Sequence, residues 1–202
     1  MRLDRTSMLL AAGVALWLAA PAGAAQRDPK VVRRAERSYK TRRQIDAFTR
    51  DTTTDIDIYR IADDPQARCS HEDGTPLVRL SLRKVAPPHR EPTVLLQAEY
   101  SGWRWLAIGP GDSLRLLVDD SLLVLQPNGH ARYQNGVYAN EGQAYRVTPD
   151  ELRRIAAAAS VRARLTGQGG RCDFRLRPES LELVRLFIER ELNGVGVAAS
   201  GR

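Results

Sequence analysis

Apolar and polar residues alternate through the middle of the chain, and this period of two is typical of strands with one buried face. Turn-forming residues such as Pro87-Pro88 and Gly109-Pro110-Gly111 separate the alternating runs. The predicted strands span residues 56–61, 77–85, 93–100, 103–108 and 114–125, and Asp119-Asp120 divides the last run into two strands. Residues 128–142 are rich in Asn, Gly and Gln, and we expect a long surface loop there.

The last third of the chain combines helical and strand patterns. Thr148-Pro149-Asp150-Glu151 has the residues of a capping box, and apolar residues follow it at helical spacing. Apolar and polar residues alternate over 161–165 and again over 172–176, on either side of a glycine-rich turn. This pattern predicts a β-hairpin. A second helix begins at Pro178. We therefore predict an α+β fold, mainly an antiparallel sheet with two C-terminal helices packed on one face.

A basic segment precedes this fold. Asp28-Pro29 predicts the start of a helix that runs to about Thr49, although Arg42 interrupts its apolar side. Residues 26–50 contain nine basic and three acidic residues, so most of the net charge of +7 lies near the N-terminus. We interpret residues 25–50 as a basic N-terminal helix or tether. The tether residues are Arg33, Arg34, Arg37, Lys40, Arg42 and Arg43.

The remaining body is neutral, because residues 51–202 contain 20 basic and 20 acidic residues. We interpret residues 51–194 as a single α+β domain and residues 195–202 as a disordered tail. The charge distribution argues against nucleic acid as a partner, because nucleic-acid binders spread positive charge over a face of the domain. Anionic lipid head groups, an anionic envelope surface or an acidic envelope protein suit a basic tether better. The alternative is a solvated basic helix without a partner.

Residues 1–24 have the composition of a secretory signal peptide. Two arginines precede an uncharged apolar stretch, Pro21 breaks that stretch, and Ala22-Gly23-Ala24 is the small-residue pattern that a signal peptidase recognises. A retained membrane anchor is the alternative, because an apolar helix of about 20 residues spans a bilayer. Cleavage would give a periplasmic or secreted protein that is not an integral membrane protein.

The two cysteines, Cys69 and Cys172, predict one disulfide bond in an oxidising compartment. The bond would close a loop of about 100 residues, and loop-closure entropy gives it roughly 4–5 kcal/mol. Free buried thiols are the alternative.

Arginines alternate with apolar residues in the predicted hairpin, so Arg162, Arg164, Arg175 and Arg177 should lie on the face away from the helices. Guanidinium groups at cross-strand distance suit the recognition of phosphate or carboxylate. The alternative is a polar outer face on which acids such as Asp173 pair with some of these arginines.

Trp103-Arg104-Trp105 places two tryptophans on one side of a predicted strand. Exposed aromatic pairs stack on sugar rings in exported proteins, whereas buried ones are core residues. The pattern favours burial in the core.

Catalytic and metal-binding patterns are weak. Cys69 to Asp73 collects metal-ligating residue types, but adjacent residues seldom face one metal, so we predict no metal site and no cofactor. The three histidines lack the sequence context of a hydrolase, and we assign no catalytic residue. The carboxylate pairs that hydrolyse glycans are defined by their distance in the fold, which the sequence does not show. Four acidic residues are therefore candidates in name only. They are Glu99, Asp112, Asp119 and Asp120.

The C-terminal helix–hairpin–helix segment, AYRVTPDELRRIAAAASVRARLTGQGGRCDFRLRPESLELVRLFIEREL, resembles segments of small exported proteins of Gram-negative bacteria that have no assigned function. The likeness covers about a quarter of the chain and implies export rather than an activity. We expect a non-catalytic periplasmic or secreted envelope protein with a binding or accessory role. An envelope enzyme acting on glycan or lipid, and a secreted inhibitor or immunity factor, are the alternatives.

Overall fold

A computed structural model describes residues 27–70, 76–111, 113–135 and 137–193. The predicted signal peptide over 1–24 and the predicted tail over 195–202 lie outside the described residues. The strands are β1 (Arg42–Ile45), β2 (Thr52–Arg60), β3 (Arg68–Cys69), β4 (Leu77–Ala86), β5 (Thr93–Gly102), β6 (Leu114–Val118), β7 (Ser121–Val124), β8 (Gln126–Asn135), β9 (Tyr138–Arg146), β10 (Val161–Gly167) and β11 (Gly170–Leu176). The helices are α1 (Pro29–Ser38), α2 (Pro149–Ala157) and α3 (Pro178–Phe187), and a π-helical turn over Ile188–Leu192 continues α3.

The described strands form two antiparallel sheets rather than the one sheet predicted. The six-stranded sheet has the order β1-β2-β4-β5-β9-β8, and the five-stranded sheet has the order β3-β11-β10-β6-β7. The sheets separate because residues 103–113 leave the end of β5 and carry the chain to β10, with which β6 then pairs. Pattern alternation finds strands but does not show which strands are neighbours.

Both sheets and the helices contribute their apolar faces to one core. The rings of Tyr59 on β2 and Phe174 on β11 stack at 4.7 Å, which joins the six-stranded sheet to the five-stranded sheet. Ser113 and Tyr145 make a second connection, with their hydroxyl oxygens 2.6 Å apart. The fold is therefore α+β, as predicted.

Helix α2 begins as its sequence predicts. The backbone N–H of Glu151 donates to the Thr148 hydroxyl at 3.2 Å, and the Thr148 N–H donates to the Glu151 carboxylate at 2.7 Å. This reciprocal pair is the capping box. Leu152, Ile155 and Ala156 then face the core.

Residues 128–142 form most of the β8–β9 hairpin, so the prediction of a long loop there was wrong. The pattern was misleading because the inward-facing side chains of β9 include Glu141 and Gln143, which are polar and buried. A bulge lies between Pro127 and His130. It contains Gly129 at φ 110°, a conformation that favours glycine.

The chain from α1 to β1 differs from a continuous helix to residue 49. Helix α1 ends at Ser38, and Arg42 to Ile45 pair with β2 instead. The backbone N–H groups of Phe48 and Thr49 then donate to the Asp46 carboxylate, both at 2.8 Å, which closes a turn. Strand pairing with β2 supplies the backbone groups of residues 42–45 with hydrogen-bond partners outside a helix.

Helix α1 is docked on α3 rather than free. Ala35 is fully buried against the core, Arg34 pairs with Glu179 at 2.8 Å, and Arg27 pairs with the buried Glu182. Tyr39 donates to Glu191 at 3.4 Å, and burial together with this carboxylate raises the pKa of Tyr39.

Cys69 and Cys172 form a disulfide bond, as predicted. They lie directly opposite each other in the register of β3 and β11, with their Cα atoms 4.1 Å apart. The bond attaches the two-residue edge strand β3 to the five-stranded sheet.

Candidate functional site

The outer face of the five-stranded sheet concentrates positive charge. Alternation and register place six arginines on this face among the described residues, and we call this surface the arginine face. Its members are Arg68, Arg115, Arg162, Arg164, Arg171 and Arg175. Asp173 is the one carboxylate among the described residues in the same rows.

Carboxylates neutralise part of the arginine face. Arg164 and Asp173 are 2.5 Å apart, and this hydrogen bond raises the pKa of Arg164. Asp173 also lies 3.3 Å from Arg171. Arg162 pairs with Asp120 at the β6–β7 turn, at 2.6 Å. Asp173 thus serves Arg164 and Arg171, and Asp120 serves Arg162.

Arg175 donates to the Ser160 hydroxyl at 2.8 Å instead of to a carboxylate. It lies directly opposite Arg162. A neutral side-chain partner leaves the positive charge of the Arg175 guanidinium group in place, so this position can attract an anion.

Apolar side chains border the arginines on the β6–β7 side. Leu122 is 55% exposed and Val124 is 46% exposed, and Leu117 lies between Leu122 and Arg162 in the same cross-strand row. An open hollow of about 450 Å³ lies over Leu117, Leu122 and four of the six arginines, which are Arg115, Arg162, Arg164 and Arg175. The face thus combines guanidinium groups with exposed aliphatic side chains.

The structure places Arg177 apart from the other three predicted face residues. Strand β11 ends at Leu176, and Arg177 precedes α3 as its N-cap residue. Its guanidinium group lies 3.9 Å from Asp63 and borders the hollow between α1 and α3. The alternation was extrapolated one residue too far, because the proline that starts α3 redirects the chain.

The predicted tether residues are spread over two elements. Arg34 is paired on α1, and Arg42 lies on β1 at 3.8 Å from Asp57. Four of the six tether residues take part in no ion pair with another described residue. They are Arg33, Arg37, Lys40 and Arg43.

Trp103 and Trp105 are exposed, at 59% and 40%, and residues 103–108 are not a strand. The prediction that both tryptophans belong to the core was therefore wrong. Leu106 and Ile108 are the residues of this segment that are fully buried. Alternation alone does not show which of the two alternating groups of side chains faces the core.

A buried carboxylate fixes the backbone of residues 103–108, which we call the tryptophan segment. The two oxygens of Glu141 accept from the backbone N–H groups of Ala107 and Ile108, at 2.8 and 2.7 Å. Arg132 pairs with the same carboxylate at 3.2 Å and donates to the carbonyl of Ile108 at 3.1 Å. Its guanidinium carbon also lies 5.9 Å from the centre of the Trp105 ring.

The β10–β11 turn holds the opposite side of the tryptophan segment. The N–H groups of Gln168 and Gly169 donate to the carbonyls of Ala107 and Leu106, at 3.1 and 2.9 Å. A Cβ atom on Gly167 would collide with the Leu106 carbonyl, so this close approach requires glycine.

Each described catalytic candidate is engaged by a different partner. Glu99 pairs with Arg79, whereas the Asp119 carboxylate accepts from the N–H groups of Ala159 and Ser160 at 3.0 and 2.9 Å. Asp120 pairs with Arg162 at the edge of the arginine face. Asp112 and His71 lie outside the described residues. Within the described part of the chain there is no group of three metal-ligating side chains.

Sequence reasoning missed Arg68, Arg115 and Arg171 on the arginine face, and it missed Glu141. The alternation of Leu114, Arg115 and Leu116 was sufficient to place Arg115 outward. No sequence signal marks Glu141, because polar residues surround it and its partners are backbone amides far along the chain.

Comparison with family models, with curated proteins and with solved structures finds no match to this chain. Over the described ranges, none of the helices is long and apolar enough to cross a membrane.

Proposed function

We propose that this protein is a non-catalytic binding protein of the envelope of Gram-negative bacteria, acting in the periplasm or outside the cell. The predicted signal peptide and the Cys69–Cys172 disulfide support the compartment. The arginine face supports the binding role. In this proposal it associates with an anionic lipid surface through the phosphate groups.

The excess of guanidinium groups over carboxylates on the arginine face carries this proposal. The arginine face presents Arg162 and Arg175 opposite each other across the hairpin and Arg164 two residues from Arg162 along β10, and a guanidinium group can bind one phosphate through two hydrogen bonds. Arg162 and Arg175 carry like charges at one cross-strand position, and because Asp120 already pairs with Arg162, an anion beside Arg175 would balance the second charge.

The apolar border distinguishes a lipid surface from a soluble acidic partner. Leu122 and Val124 are exposed beside the arginines, where acyl chains at a membrane surface would cover them. Surface association of this kind gains from buried apolar area and from charge attraction together.

The test is cosedimentation of the chain lacking residues 1–24 with phosphatidylglycerol vesicles and with phosphatidylcholine vesicles. We expect binding to the anionic vesicles that weakens as salt increases, because exposed charges are screened beyond about 8 Å at physiological ionic strength. Equal binding to both vesicles, or binding to neither, would contradict the proposal.

A further inference from the structure

A second open hollow lies on the outer face of the six-stranded sheet, and we call it the sheet groove. Its volume is about 500 Å³, and strands β4, β5, β9 and β8 form it. Leu77, Ser101, Asn140 and Tyr133 follow one another across these four strands in one row. Leu77 and Tyr133 therefore stand on either side of the smaller Ser101 and Asn140.

The floor of the sheet groove is low because Gly142 and Ala131 lie opposite each other in the next row. A Cβ atom on Gly142 would meet Glu99 Cγ at 3.9 Å and the Ala98 carbonyl at 4.0 Å, which is ordinary contact. The glycine is thus not required by the packing of the sheet, yet it keeps this position open.

The charges in the sheet groove neutralise each other. Arg79 pairs with Glu99 and lies 3.8 Å from Asp57. Burial lowers the pKa of Arg79, but the hydrogen bond and the charge of Glu99 outweigh it and raise the pKa overall. A ligand in the sheet groove therefore contacts polar groups and paired charges, without an excess of positive or negative charge.

Amide side chains supply the remaining polar groups. Gln97 accepts from Ser81 at 3.4 Å, and Asn140 donates to the Tyr138 carbonyl at 3.2 Å. Each amide retains further hydrogen-bonding capacity, because a primary amide has two donor hydrogens and an acceptor oxygen. Groups that both donate and accept match the hydroxyl groups of a sugar.

Exposed aromatic rings continue the sheet groove along the strands. Tyr133 is 61% exposed at its edge. Tyr138 lies two residues before Asn140 on β9, about 7 Å along the strand on the same face. The Trp103 and Tyr138 rings are in contact, with centres 4.8 Å apart and planes tilted by 40°. The electron-rich ring faces suit the apolar C–H face of a pyranose.

The tryptophan segment is preorganised for this task. Glu141 and Arg132 hold residues 107 and 108 by three hydrogen bonds, and a fourth joins Arg132 to Glu141, so Trp103 lies four residues from a fixed stretch of backbone. A fixed aromatic surface loses little conformational entropy when a ligand binds.

We propose that the sheet groove, with Tyr133, Trp103 and Tyr138 at its rim, is a binding site for a neutral oligosaccharide. The site lies on a different sheet from the arginine face and does not depend on the proposed function. Paired charges exclude a strongly anionic ligand, while the amide groups and aromatic faces match the two surfaces of a sugar ring.

The test is calorimetry of the chain lacking residues 1–24 with tetraacetylchitotetraose, cellotetraose and maltotetraose. Intrinsic fluorescence gives a second readout, because Trp103 and Trp105 are the tryptophans that remain after residue 24. We expect saturable binding of at least one tetrasaccharide and a change in tryptophan emission on binding.

Two variants and one control locate the site. Tyr133→Ala and Trp103→Ala should each weaken the binding about tenfold, as the upper range for an aromatic contact implies. Phe48→Ala, which changes an exposed aromatic residue in the turn between β1 and β2 and outside both proposed sites, should leave it unchanged.

Absence of binding to all three tetrasaccharides would overturn the inference. It would also be overturned if sedimentation showed self-association that the same two variants abolish, because the aromatic rim would then be an interface between copies of the chain.

Discussion

Arg162 and Arg175 lie directly opposite each other on β10 and β11, so two guanidinium groups occupy one cross-strand position. Like charges in this arrangement are destabilising. Asp120 neutralises Arg162, whereas Arg175 has a hydroxyl partner. A hairpin that served stability alone would gain from a neutral or acidic residue at position 175, and this is why we place the binding role there.

The docking of α1 on α3 depends on the buried Glu182. Its side chain is 1% exposed and pairs with Arg27 and Arg185, whereas Glu179 pairs with Arg34 at the surface. Glu182→Gln should lower the free energy of unfolding by about 3 kcal/mol, because breaking a buried pair leaves charge uncompensated. Glu179→Gln, the matched control, should cost under about 1 kcal/mol. Urea denaturation measures both, and equal losses would mean that α1 is held mainly by apolar contacts.

Glu141 should be required for the conformation of the tryptophan segment. Each of its oxygens accepts one backbone N–H, so Glu141→Gln replaces one acceptor with a donor and sets it against an amide hydrogen. We expect a loss of about 2–3 kcal/mol in unfolding free energy and a shift in tryptophan emission. The exposed Glu36→Gln serves as the control. Unchanged emission from the Glu141 variant would show that the segment is fixed by the β10–β11 turn alone.

Tyr59 should make the protein sensitive to alkaline pH. Its hydroxyl donates to Asp64 at 3.1 Å, and burial, with the charge of Asp64, raises its pKa. The unfolded chain releases the tyrosine proton near pH 10, before the folded protein does. The contribution of Tyr59 to the unfolding free energy should therefore be constant below that pH and fall as the pH rises above it.

Tyr59→Phe tests this linkage, because it removes the titrating group and keeps the ring stacked on Phe174. Denaturation curves at pH 8 to 11 should show a shallower decline for the variant than for the parent. Parallel curves would assign the alkaline sensitivity to other groups, such as Tyr39.

The sequence predicted those features that depend on local pattern. The capping box at Thr148, the β10–β11 hairpin and the alternation that faces Arg162 and Arg164 outward are all local. The disulfide followed from the cysteine count, since one pairing was available.

Features that depend on distant partners were missed. Helix α1 stops at Ser38 because β2 offers backbone partners to residues 42–45, and no local signal announces this. The exposure of Trp103 follows from the anchoring of the neighbouring backbone by Glu141, which lies 34 residues from Ala107. The division into two sheets likewise depends on which strands pair, and alternation does not specify partners.

The most direct test of the proposed binding role compares two double variants on phosphatidylglycerol vesicles. Arg162→Ala/Arg175→Ala removes two charges from the arginine face. Arg33→Ala/Arg37→Ala removes two exposed charges from α1, neither of which is ion-paired within the described residues. Each arginine near an anionic surface contributes about 1 kcal/mol, so the first pair should weaken binding roughly 30-fold and the second should change it little. Loss of binding with the α1 pair alone would contradict our account and assign the interaction to the N-terminal segment.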